Sequence, residues 1–156
     1  MHDTLLLFGA TGDLAQRYLF PSLLHLLRDR LLPPDFRIVA IGRSEHDDQG
    51  FRDWLRGRIQ GNEDRNSATL DDLLGRIRYH ALNLQDIDGV AATLSQYADR
   101  PAVSYLSTPP NLFEPACRGL KAAGLLEAPS RLVLEKPIGH DLASAREIDA
   151  TLKSAL

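Results

Sequence analysis

The sequence predicts a doubly wound α/β fold, in which helices cover both faces of a mostly parallel sheet. Short leucine-rich or β-branched runs alternate with longer segments that carry apolar residues at helical spacing. Three of the runs, TLLLF, RIVAI and RLVLE, are almost continuously apolar, which is typical of strands buried on both faces. Because strands joined by helical crossovers pair in parallel with right-handed connections, this alternation favours an open parallel sheet.

Five strands and five helices follow one another along the chain in this interpretation. The predicted strands are Thr4–Phe8, Arg37–Ile41, Arg78–Leu84, Ala102–Ser107 and Arg131–Glu135. The predicted helices are Asp13–Leu31, Gln49–Gln60, Asp86–Asp99, Leu112–Ala123 and Leu142–Lys153. Pro21 predicts a kink in the first helix, because proline has no N–H and clashes with the preceding turn. The segment GNEDRNS, Gly61–Ser67, is predicted to be a surface loop.

The bulk composition indicates one globular domain. The chain of 156 residues is long enough for a single core, with 44% hydrophobic and 25% charged residues. Cys117 is its one cysteine, so no internal disulfide and no cysteine-based metal site is expected. A formal net charge of -3 and the lack of a long apolar run argue against nucleic-acid and membrane partners. We therefore expect a cytoplasmic protein.

The segment GATGDLA, directly after the first strand, has the spacing of a phosphate-binding turn. Gly9 would let the chain leave the strand, Gly12 would let the backbone approach a pyrophosphate, and Ala15 would keep the next helix close to the sheet. The start of that helix offers free N–H groups and the positive end of its dipole. An alternative is a tight turn with Asp13 as an ordinary helix cap. The position after a first strand favours the dinucleotide turn of a Rossmann-type fold.

The second turn, AIGRS, indicates which dinucleotide binds. An NAD site commonly has an acidic residue near the end of the second strand, where it holds the ribose 2′-hydroxyl. Here Arg43 and Ser44 occupy that position, and Glu45 comes only after them. Because a guanidinium is suited to a 2′-phosphate, the turn favours NADP, with NAD as the alternative. The arginine could also be an ordinary solvent-facing side chain.

The turn after the fourth strand, STPPN, adds further candidates. Thr108 and Pro109 would lie where the nicotinamide half of a dinucleotide is held, and the two prolines would stiffen the backbone there. In the alternative interpretation, Asn111 caps the next helix and the prolines only end the strand.

The triplet Glu-Lys-Pro emerges from the fifth strand, which is predicted to be buried. It places a carboxylate, Glu135, beside an ammonium, Lys136, with Pro137 stiffening the exit. An ammonium at this edge of the sheet could hydrogen-bond a substrate hydroxyl or phosphate near the nicotinamide. The alternative is a surface ion pair that contributes little.

These four motifs together resemble the N-terminal coenzyme domain of glucose-6-phosphate dehydrogenase. GATGDLA, AIGRS, STPP and EKPIGHDLASA occur in the order and at the separations typical of that family, over almost the whole chain. The resemblance implies that Arg43 meets the 2′-phosphate, with Ser44 beside it, and that Thr108 and Pro109 lie on the nicotinamide side. It implies that Glu135 and Lys136 contact coenzyme and that Lys136 also binds glucose 6-phosphate. The implied coenzyme turn consists of Gly9, Ala10, Thr11, Gly12, Asp13 and Leu14.

The family reaction implied by this resemblance is oxidation of glucose 6-phosphate at C1 to 6-phosphogluconolactone, with hydride transfer to NADP, in the oxidative pentose phosphate pathway. A homo-oligomer is expected for the full-length enzyme. Two departures matter. Tyr18 stands where the family has a lysine, and the family's catalytic histidine motif, Arg-Ile-Asp-His-Tyr-Leu-Gly-Lys, does not occur in the 156 residues.

We therefore expect residues 1–156 to form an NADP-binding domain that binds coenzyme without turnover, while a C-terminal catalytic domain lies outside this chain. His140, beside the Glu-Lys-Pro turn, is the histidine expected nearest to the site. Two alternatives remain at this point. One is a stand-alone NADP-binding sensor or assembly module, and the other is the coenzyme domain of a different sugar oxidoreductase that carries Glu-Lys-Pro.

Overall fold

Five parallel strands form one sheet in the computed structural model, which describes residues 3–59, 67–135 and 141–155. Along the chain the strands are β1 (Thr4–Phe8), β2 (Arg37–Gly42), β3 (Ile77–Ala81), β4 (Ala102–Leu106) and β5 (Arg131–Leu134). Their order across the sheet is β3-β2-β1-β4-β5, and every neighbouring pair is parallel. The direction of winding reverses between β1 and β4, so the predicted doubly wound sheet is confirmed.

Helices connect the strands and cover both faces. They are α1 (Phe20–Arg28), α2 (Asp48–Arg58), α3 (Ala68–Gly75), α4 (Ile87–Leu94), α5 (Phe113–Ala122) and α6 (Leu142–Ala155). Short 3₁₀ turns at Ser95–Tyr97 and Pro110–Leu112 flank α4 and α5. Within the described ranges, no helix combines the length and apolar character that crossing a bilayer requires.

The alternation of side chains along the central strands divides the interior into two cores. Leu6 and Phe8 of β1 face a core that includes residues of α4 and α5, whereas Leu7 faces the core beneath α1, α2 and α3. The side chains of Leu6, Leu7 and Phe8 are each at most 1% exposed. The near-continuous apolar run TLLLF is therefore explained by helices on both faces, as predicted.

The predicted irregularity at Pro21 is confirmed. A π-helical turn, Ala15–Leu19, precedes α1, and the backbone N–H of Phe20 donates to the carbonyl of Ala15 five residues earlier. Pro21 then occupies the first turn of α1. Because proline has no N–H to offer and crowds the preceding turn, the wider π geometry allows the helix to continue through it.

The helix α3 was not predicted from the sequence. Ser67, predicted to be the last residue of a loop, caps this helix, because its hydroxyl accepts a hydrogen bond from the Leu70 backbone N–H at 3.1 Å. Leu70, Leu73 and Leu74 are buried from one face of α3, which is the spacing of an amphipathic helix. The rest of the predicted loop, residues 61–66, lies outside the described residues.

Two predicted strands also differ from the structure. The strand β3 ends at Ala81 rather than Leu84, because Asn83 forms a turn in which its side-chain oxygen accepts from Gln85 N at 3.1 Å. The prediction that β5 is a buried strand is wrong. Within the described chain β5 pairs only with β4, so Val133 is 37% exposed. An edge strand has one neighbour and can remain partly open to solvent.

Candidate functional site

A cleft of about 430 Å³ opens at the carboxyl ends of the strands, where the direction of winding reverses. Ligands of open α/β sheets bind at this place. The turns after β1, β2, β3 and β4 supply its walls. The lining residues are Gly9, Thr11, Gly12, Ile41, Gly42, Arg43, Leu82, Asn83, Leu84, Gln85, Ser107, Thr108, Pro109, Asn111 and Leu112.

Gly9 places the first turn tightly between two neighbouring strands. Its φ is +82°, and a Cβ atom there would lie 2.5 Å from the backbone oxygen of Ser107. Only glycine combines this left-handed conformation with so close an approach. The backbone N–H groups of Gly9 and Ala10 both donate to the carbonyl of Ile41, at 2.9 and 3.0 Å. The turn is therefore hydrogen-bonded to β2 and packed closely against the end of β4.

The predicted turn residues have different environments. Thr11 and Gly12 line the cleft, and the Gly12 N–H donates to the Gly9 carbonyl at 2.9 Å. Ala10 is fully buried, while Asp13 is exposed and Leu14 half-buried, and none of these three lines the cleft.

The helical segment that follows the first turn tests the predicted roles of Asp13 and Ala15. Asp13 and Leu14 are already helical, and the Gln16 N–H donates to the Gly12 carbonyl at 3.1 Å, so Asp13 lies inside the first turn and the alternative of an ordinary Asp13 cap is wrong. Ala15 is fully buried, as predicted for a helix that lies close to the sheet. Tyr18 is 63% exposed on the π-helical turn and does not line the cleft.

The second turn brings a guanidinium to the mouth of the cleft. Arg43 lines the cleft and is exposed, and it forms no ion pair with any residue that the structure describes. Ser44 is exposed beside it, and its backbone carbonyl accepts a hydrogen bond from the hydroxyl of Tyr79 at 2.7 Å. This turn therefore presents a fixed backbone and an uncommitted positive charge.

The fourth turn contributes an unsatisfied hydroxyl. The hydroxyl of Ser107 donates to the carbonyl of Phe8 at 2.8 Å, which ties this turn to β1. The buried Oγ1 of Thr108 has no hydrogen-bond partner within residues 3–59, 67–135 and 141–155. Two other buried side-chain atoms in the described chain share this condition, Arg52 Nε and Ser104 Oγ, but only Thr108 lines the cleft. A buried hydroxyl without a partner suits a ligand that supplies one.

The alternative role proposed for Asn111 is wrong. The helix α5 has Leu112 as its N-cap, without a side-chain capping hydrogen bond. Asn111 lines the cleft instead, next to Pro109. Its amide is thus a further polar group available to a ligand.

The turn after β3 was missed as part of the site. Leu82, Asn83, Leu84 and Gln85 form one wall of the cleft. The predicted site consisted of the turns after the other four strands, because the predicted end of this strand at Leu84 placed Leu82, Asn83 and Leu84 inside it. The sequence did contain a signal for this wall, because ligands bind at the carboxyl ends of the strands and β3 is one of the parallel strands.

The Glu-Lys-Pro turn is only partly described. The Glu135 N–H donates to the carbonyl of Leu106 at 3.1 Å, and its carboxylate accepts a hydrogen bond from the hydroxyl of Tyr105. Burial, aided by this carboxylate, raises the pKa of Tyr105 to about 12. Glu135 does not line the cleft. Lys136, Pro137 and His140 lie outside the described residues.

Other reactive groups lie away from the cleft. Burial raises the pKa of the Cys117 thiol to about 11, so this cysteine is not an activated nucleophile. His25 is exposed on α1, and neither it nor His46 nor His80 lines the cleft. In the described ranges, no group of three or more His, Cys, Asp or Glu residues could hold a metal ion.

The cleft has the chemistry that a dinucleotide requires. Glycine backbone at the first turn permits close approach of a phosphate, leucine side chains form an apolar wall, and Arg43 and Thr108 supply a free charge and a free hydroxyl. The residues present therefore fit an extended phosphorylated ligand.

Comparisons with known proteins agree with this geometry. Residues 6–156 match the family model described as glucose-6-phosphate dehydrogenase, NAD binding domain. The chain is 45% identical over 157 residues to glucose-6-phosphate 1-dehydrogenase of Zymomonas mobilis, covering 97% of this chain and 32% of that protein. It is 37% identical to the enzyme of that name from Mycolicibacterium smegmatis, covering 92% and 31% of the two chains.

Solved structures give the same result. Glucose-6-phosphate 1-dehydrogenase from Mycobacterium avium superposes with a TM-score of 0.88 and 34% identity, over 100% of this chain and 34% of that one. A glucose-6-phosphate dehydrogenase in complex with its substrate glucose 6-phosphate gives a TM-score of 0.83 and 27% identity, over 99% and 34%.

The present chain spans about a third of the length of these relatives. The family match favours this interpretation over the other Glu-Lys-Pro sugar oxidoreductases. It also supports a nicotinamide dinucleotide as the cofactor. The chain belongs to the glucose-6-phosphate dehydrogenase family, and it corresponds to the NAD binding domain of that family.

Proposed function

We propose that this chain is the coenzyme domain of an NADP-dependent glucose-6-phosphate dehydrogenase. The whole enzyme oxidises glucose 6-phosphate at C1 to 6-phosphogluconolactone, in the oxidative pentose phosphate pathway. The nicotinamide accepts the hydride when the coenzyme is bound. The names of the relatives support this reaction, and so does the substrate named for one solved relative. A homo-oligomeric full-length enzyme and a cytoplasmic location stay predictions.

One observation carries the choice of NADP over NAD. Arg43 lies at the mouth of the cleft, directly after β2, and has no ion-pair partner among the described residues. Among the residues that the structure describes, no carboxylate lines the cleft to hold a free 2′-hydroxyl. A guanidinium in this place would bind a 2′-phosphate with charge-assisted hydrogen bonds.

The remaining roles follow the walls of the cleft. The backbone at Gly9 and Gly12 would admit the pyrophosphate, assisted by the first turn of the helical segment. The unpartnered hydroxyl of Thr108 would hydrogen-bond the coenzyme, and Pro109 would limit the nicotinamide side. Ser44 would support Arg43, and Ala10, Asp13 and Leu14 would complete the turn without facing the ligand.

Catalysis would need groups beyond those that line the cleft. Lys136 is proposed to contact both coenzyme and glucose 6-phosphate, with Glu135 beside it. No histidine lines the cleft in the described part of the chain. We therefore propose that residues 1–156 bind coenzyme without turning over glucose 6-phosphate, and that the base comes from a catalytic domain outside this chain.

Calorimetric titration with NADP and NAD tests the coenzyme assignment. NADP should bind more tightly, and Arg43→Ala should shrink the difference in binding free energy by roughly 1 kcal/mol or more, because a charge-assisted hydrogen bond is lost. Arg118→Ala is the matched control, since this exposed arginine of α5 pairs loosely with Glu114 at 3.9 Å and does not line the cleft. Equal affinity of the unmodified protein for both coenzymes would contradict the 2′-phosphate role.

A further inference from the structure

A tyrosine of β3 lies directly beneath the second turn of the cleft. Tyr79 is 5% exposed, and its hydroxyl donates to the backbone carbonyl of Ser44 at 2.7 Å. Ser44 follows Arg43, whose guanidinium is uncommitted at the mouth of the cleft. The contact joins residues that are 35 positions apart in the chain. It therefore couples the edge strand β3 to the turn that carries the free charge.

The ring of Tyr79 is held on several sides. Phe51 of α2 stacks on it with a centroid distance of 4.4 Å and an angle of 14°, and His46 packs edge-on at 5.6 Å. The backbone N–H of Tyr79 donates to the carboxylate of Asp48 at 2.7 Å. With ring and backbone both fixed, the hydroxyl has one position from which to reach Ser44. The hydrogen bond is thus preorganised rather than dependent on ligand.

The same hydroxyl lies behind Gly42, a residue of the cleft wall. A Cβ atom at Gly42 would lie 2.6 Å from the Tyr79 hydroxyl and 3.2 Å from Oγ1 of Thr11. Both Gly42 and Thr11 line the cleft. Glycine at position 42 therefore leaves the space through which the hydroxyl reaches the turn.

The hydroxyl stays a donor over the physiological range. Burial, with a smaller contribution from Glu45, raises the pKa of Tyr79 to about 12. Loss of the proton would place a phenolate against a carbonyl oxygen, which is unfavourable. The contact with Ser44 is therefore insensitive to pH in ordinary buffers.

We propose that Tyr79 is a positioning residue for coenzyme selection, which holds the Arg43–Ser44 turn in the conformation that receives a 2′-phosphate. The proposal rests on the proposed function of Arg43. Ordering a turn on a ligand costs backbone conformational entropy, and a turn that is already fixed at the base of Arg43 avoids part of that cost. NAD lacks the phosphate that Arg43 would meet. Tyr79 should thus affect NADP binding and leave NAD binding nearly unchanged.

The direct test is Tyr79→Phe in the full chain, with NADP and NAD affinities measured by calorimetry. The substitution keeps the stacked ring and removes only the hydroxyl. The NADP affinity should fall about threefold to tenfold, the range expected for one neutral hydrogen bond, while the NAD affinity should change less than about twofold. An equal fall for both coenzymes, or no fall for either, would overturn the proposal.

Tyr97→Phe is the matched control. The Tyr97 hydroxyl also hydrogen-bonds one partner, at 2.8 Å, but that partner is His80 Nε2 rather than the Arg43–Ser44 turn, and Tyr97 belongs to the other core. This variant should leave the ratio of NADP to NAD affinity unchanged. A change as large as that of Tyr79→Phe would overturn the proposal, because hydroxyl removal anywhere in the fold would then be enough.

A double-mutant cycle with Arg43→Ala separates this proposal from the proposed function. In the Arg43→Ala background, Tyr79→Phe should cause no further change in the affinity ratio. If Arg43→Ala reduces the ratio but Tyr79→Phe does not, the positioning role alone fails. If Arg43→Ala leaves the ratio unchanged, the 2′-phosphate assignment fails and the role of Tyr79 fails with it.

A second variant covers the case in which Tyr79→Phe does not fold. Gly42→Ala would place a methyl group 2.6 Å from the Tyr79 hydroxyl and force it away from Ser44. Because Gly42 itself lines the cleft, the added methyl group should weaken binding of both coenzymes, and the expected readout is a fall in the ratio of NADP to NAD affinity like that of Tyr79→Phe. An unchanged ratio in a folded Gly42→Ala protein would contradict the proposal.

Discussion

The two ends of the sheet use the same kinds of polar residue for opposite purposes. At the carboxyl ends, Arg43 and the Thr108 hydroxyl face the cleft without partners in the described chain. At the amino ends, Thr4 is fully buried and its hydroxyl accepts from both Nε and Nη2 of Arg37, at 3.1 and 2.9 Å. One end leaves its polar groups for a ligand, and the other end satisfies them internally.

The amino end forms a continuous network of ion pairs. Arg37 also binds Asp99 at 2.8 Å. Arg100 binds Asp35 at 2.6 Å and Asp3 at 3.3 Å. These contacts join the starts of β1 and β2 to the segment before β4. The comparison shows that an arginine or threonine becomes a candidate binding residue when its hydrogen bonds are incomplete, since buried polar groups are otherwise paired.

The largest effect is expected where the backbone itself forms the cleft. Gly9→Ala should lower the free energy of unfolding by roughly 2–4 kcal/mol, because alanine disfavours φ of +82° and its Cβ would meet the Ser107 oxygen at 2.5 Å. Coenzyme binding should be lost as well. Urea unfolding measures the first effect and calorimetry the second.

Gly57→Ala is the control for Gly9→Ala. Gly57 lies in α2, and nothing lies within 4 Å of an added Cβ. Alanine there should stabilise the protein by roughly 0.5–1 kcal/mol, because it favours the helix. If the two substitutions had equal effects, the close approach at Gly9 would not be the cause.

Thr4→Val tests the closed end of the comparison. The substitution keeps the shape but removes the acceptor of two hydrogen bonds from Arg37, so the free energy of unfolding should fall by about 1–3 kcal/mol. Coenzyme affinity should not change, since Thr4 lies at the far end of the sheet. A stability loss below a few tenths of a kcal/mol would show that the network does not depend on this hydroxyl.

Thr108→Val is the same substitution at the open end and should have the opposite effect on stability. Removing a buried hydroxyl without a partner should raise the free energy of unfolding by about 1 kcal/mol. Coenzyme affinity should fall about threefold to tenfold, because the proposed hydrogen bond to the ligand is lost.

Ser104→Ala is the control for Thr108→Val. Its hydroxyl is also buried and unpartnered, but Ser104 does not line the cleft. It should stabilise the protein without changing coenzyme affinity. Unchanged affinity in Thr108→Val would remove Thr108 from the site.

The smallest effect is expected for the pH dependence of the free energy of unfolding, which the ion-pair network at the amino end influences at low pH. Hydrogen bonds from Arg100 and Arg37 lower the pKa values of Asp35 and Asp99, respectively, below the ordinary value. Because the folded values lie below the unfolded value of about 3.9, the network stabilises the fold above that pH and loses this contribution as the pH falls further. These side chains are exposed, so the effect is modest and screened by salt.

The measurement is urea unfolding between pH 5 and pH 3 at low and high salt. Arg100→Gln should flatten the fall in stability at low pH, and Arg118→Gln, at a weaker exposed pair of 3.9 Å, should not. An unchanged pH profile in Arg100→Gln would show that the network contributes nothing to acid stability.

Much of the architecture was predictable because it follows from local patterns. The apolar runs located all five strands, and their alternation with helical segments predicted the parallel sheet. Gly9 and Ala15 were identified from spacing alone, because a turn between a strand and a helix restricts which residues fit. The kink at Pro21 followed from the missing N–H.

The errors occurred where a local pattern was short or where neighbours decided the outcome. The helix α3 has only eight residues, too few for its leucine spacing to stand out from the preceding polar segment. Burial of β5 depends on how many strands flank it, which no local pattern contains. The cleft wall Leu82–Gln85 was missed because the strand end at Ala81 depends on the turn formed by Asn83.

The sequence by itself determined which elements form and which motifs follow each strand, because hydrophobic period, glycine and proline act over a few residues. Only the tertiary structure decided which polar groups are satisfied. Thr4 and Thr108 are chemically alike in the sequence, yet the Thr4 hydroxyl bonds Arg37, 33 positions away, and the Thr108 hydroxyl bonds no residue of the described chain. Likewise, Tyr79 reaches Ser44 only because β3 and α2 bring distant residues into contact. Hydrogen bonds depend on distances of a few ångströms, and only the folded chain sets those distances.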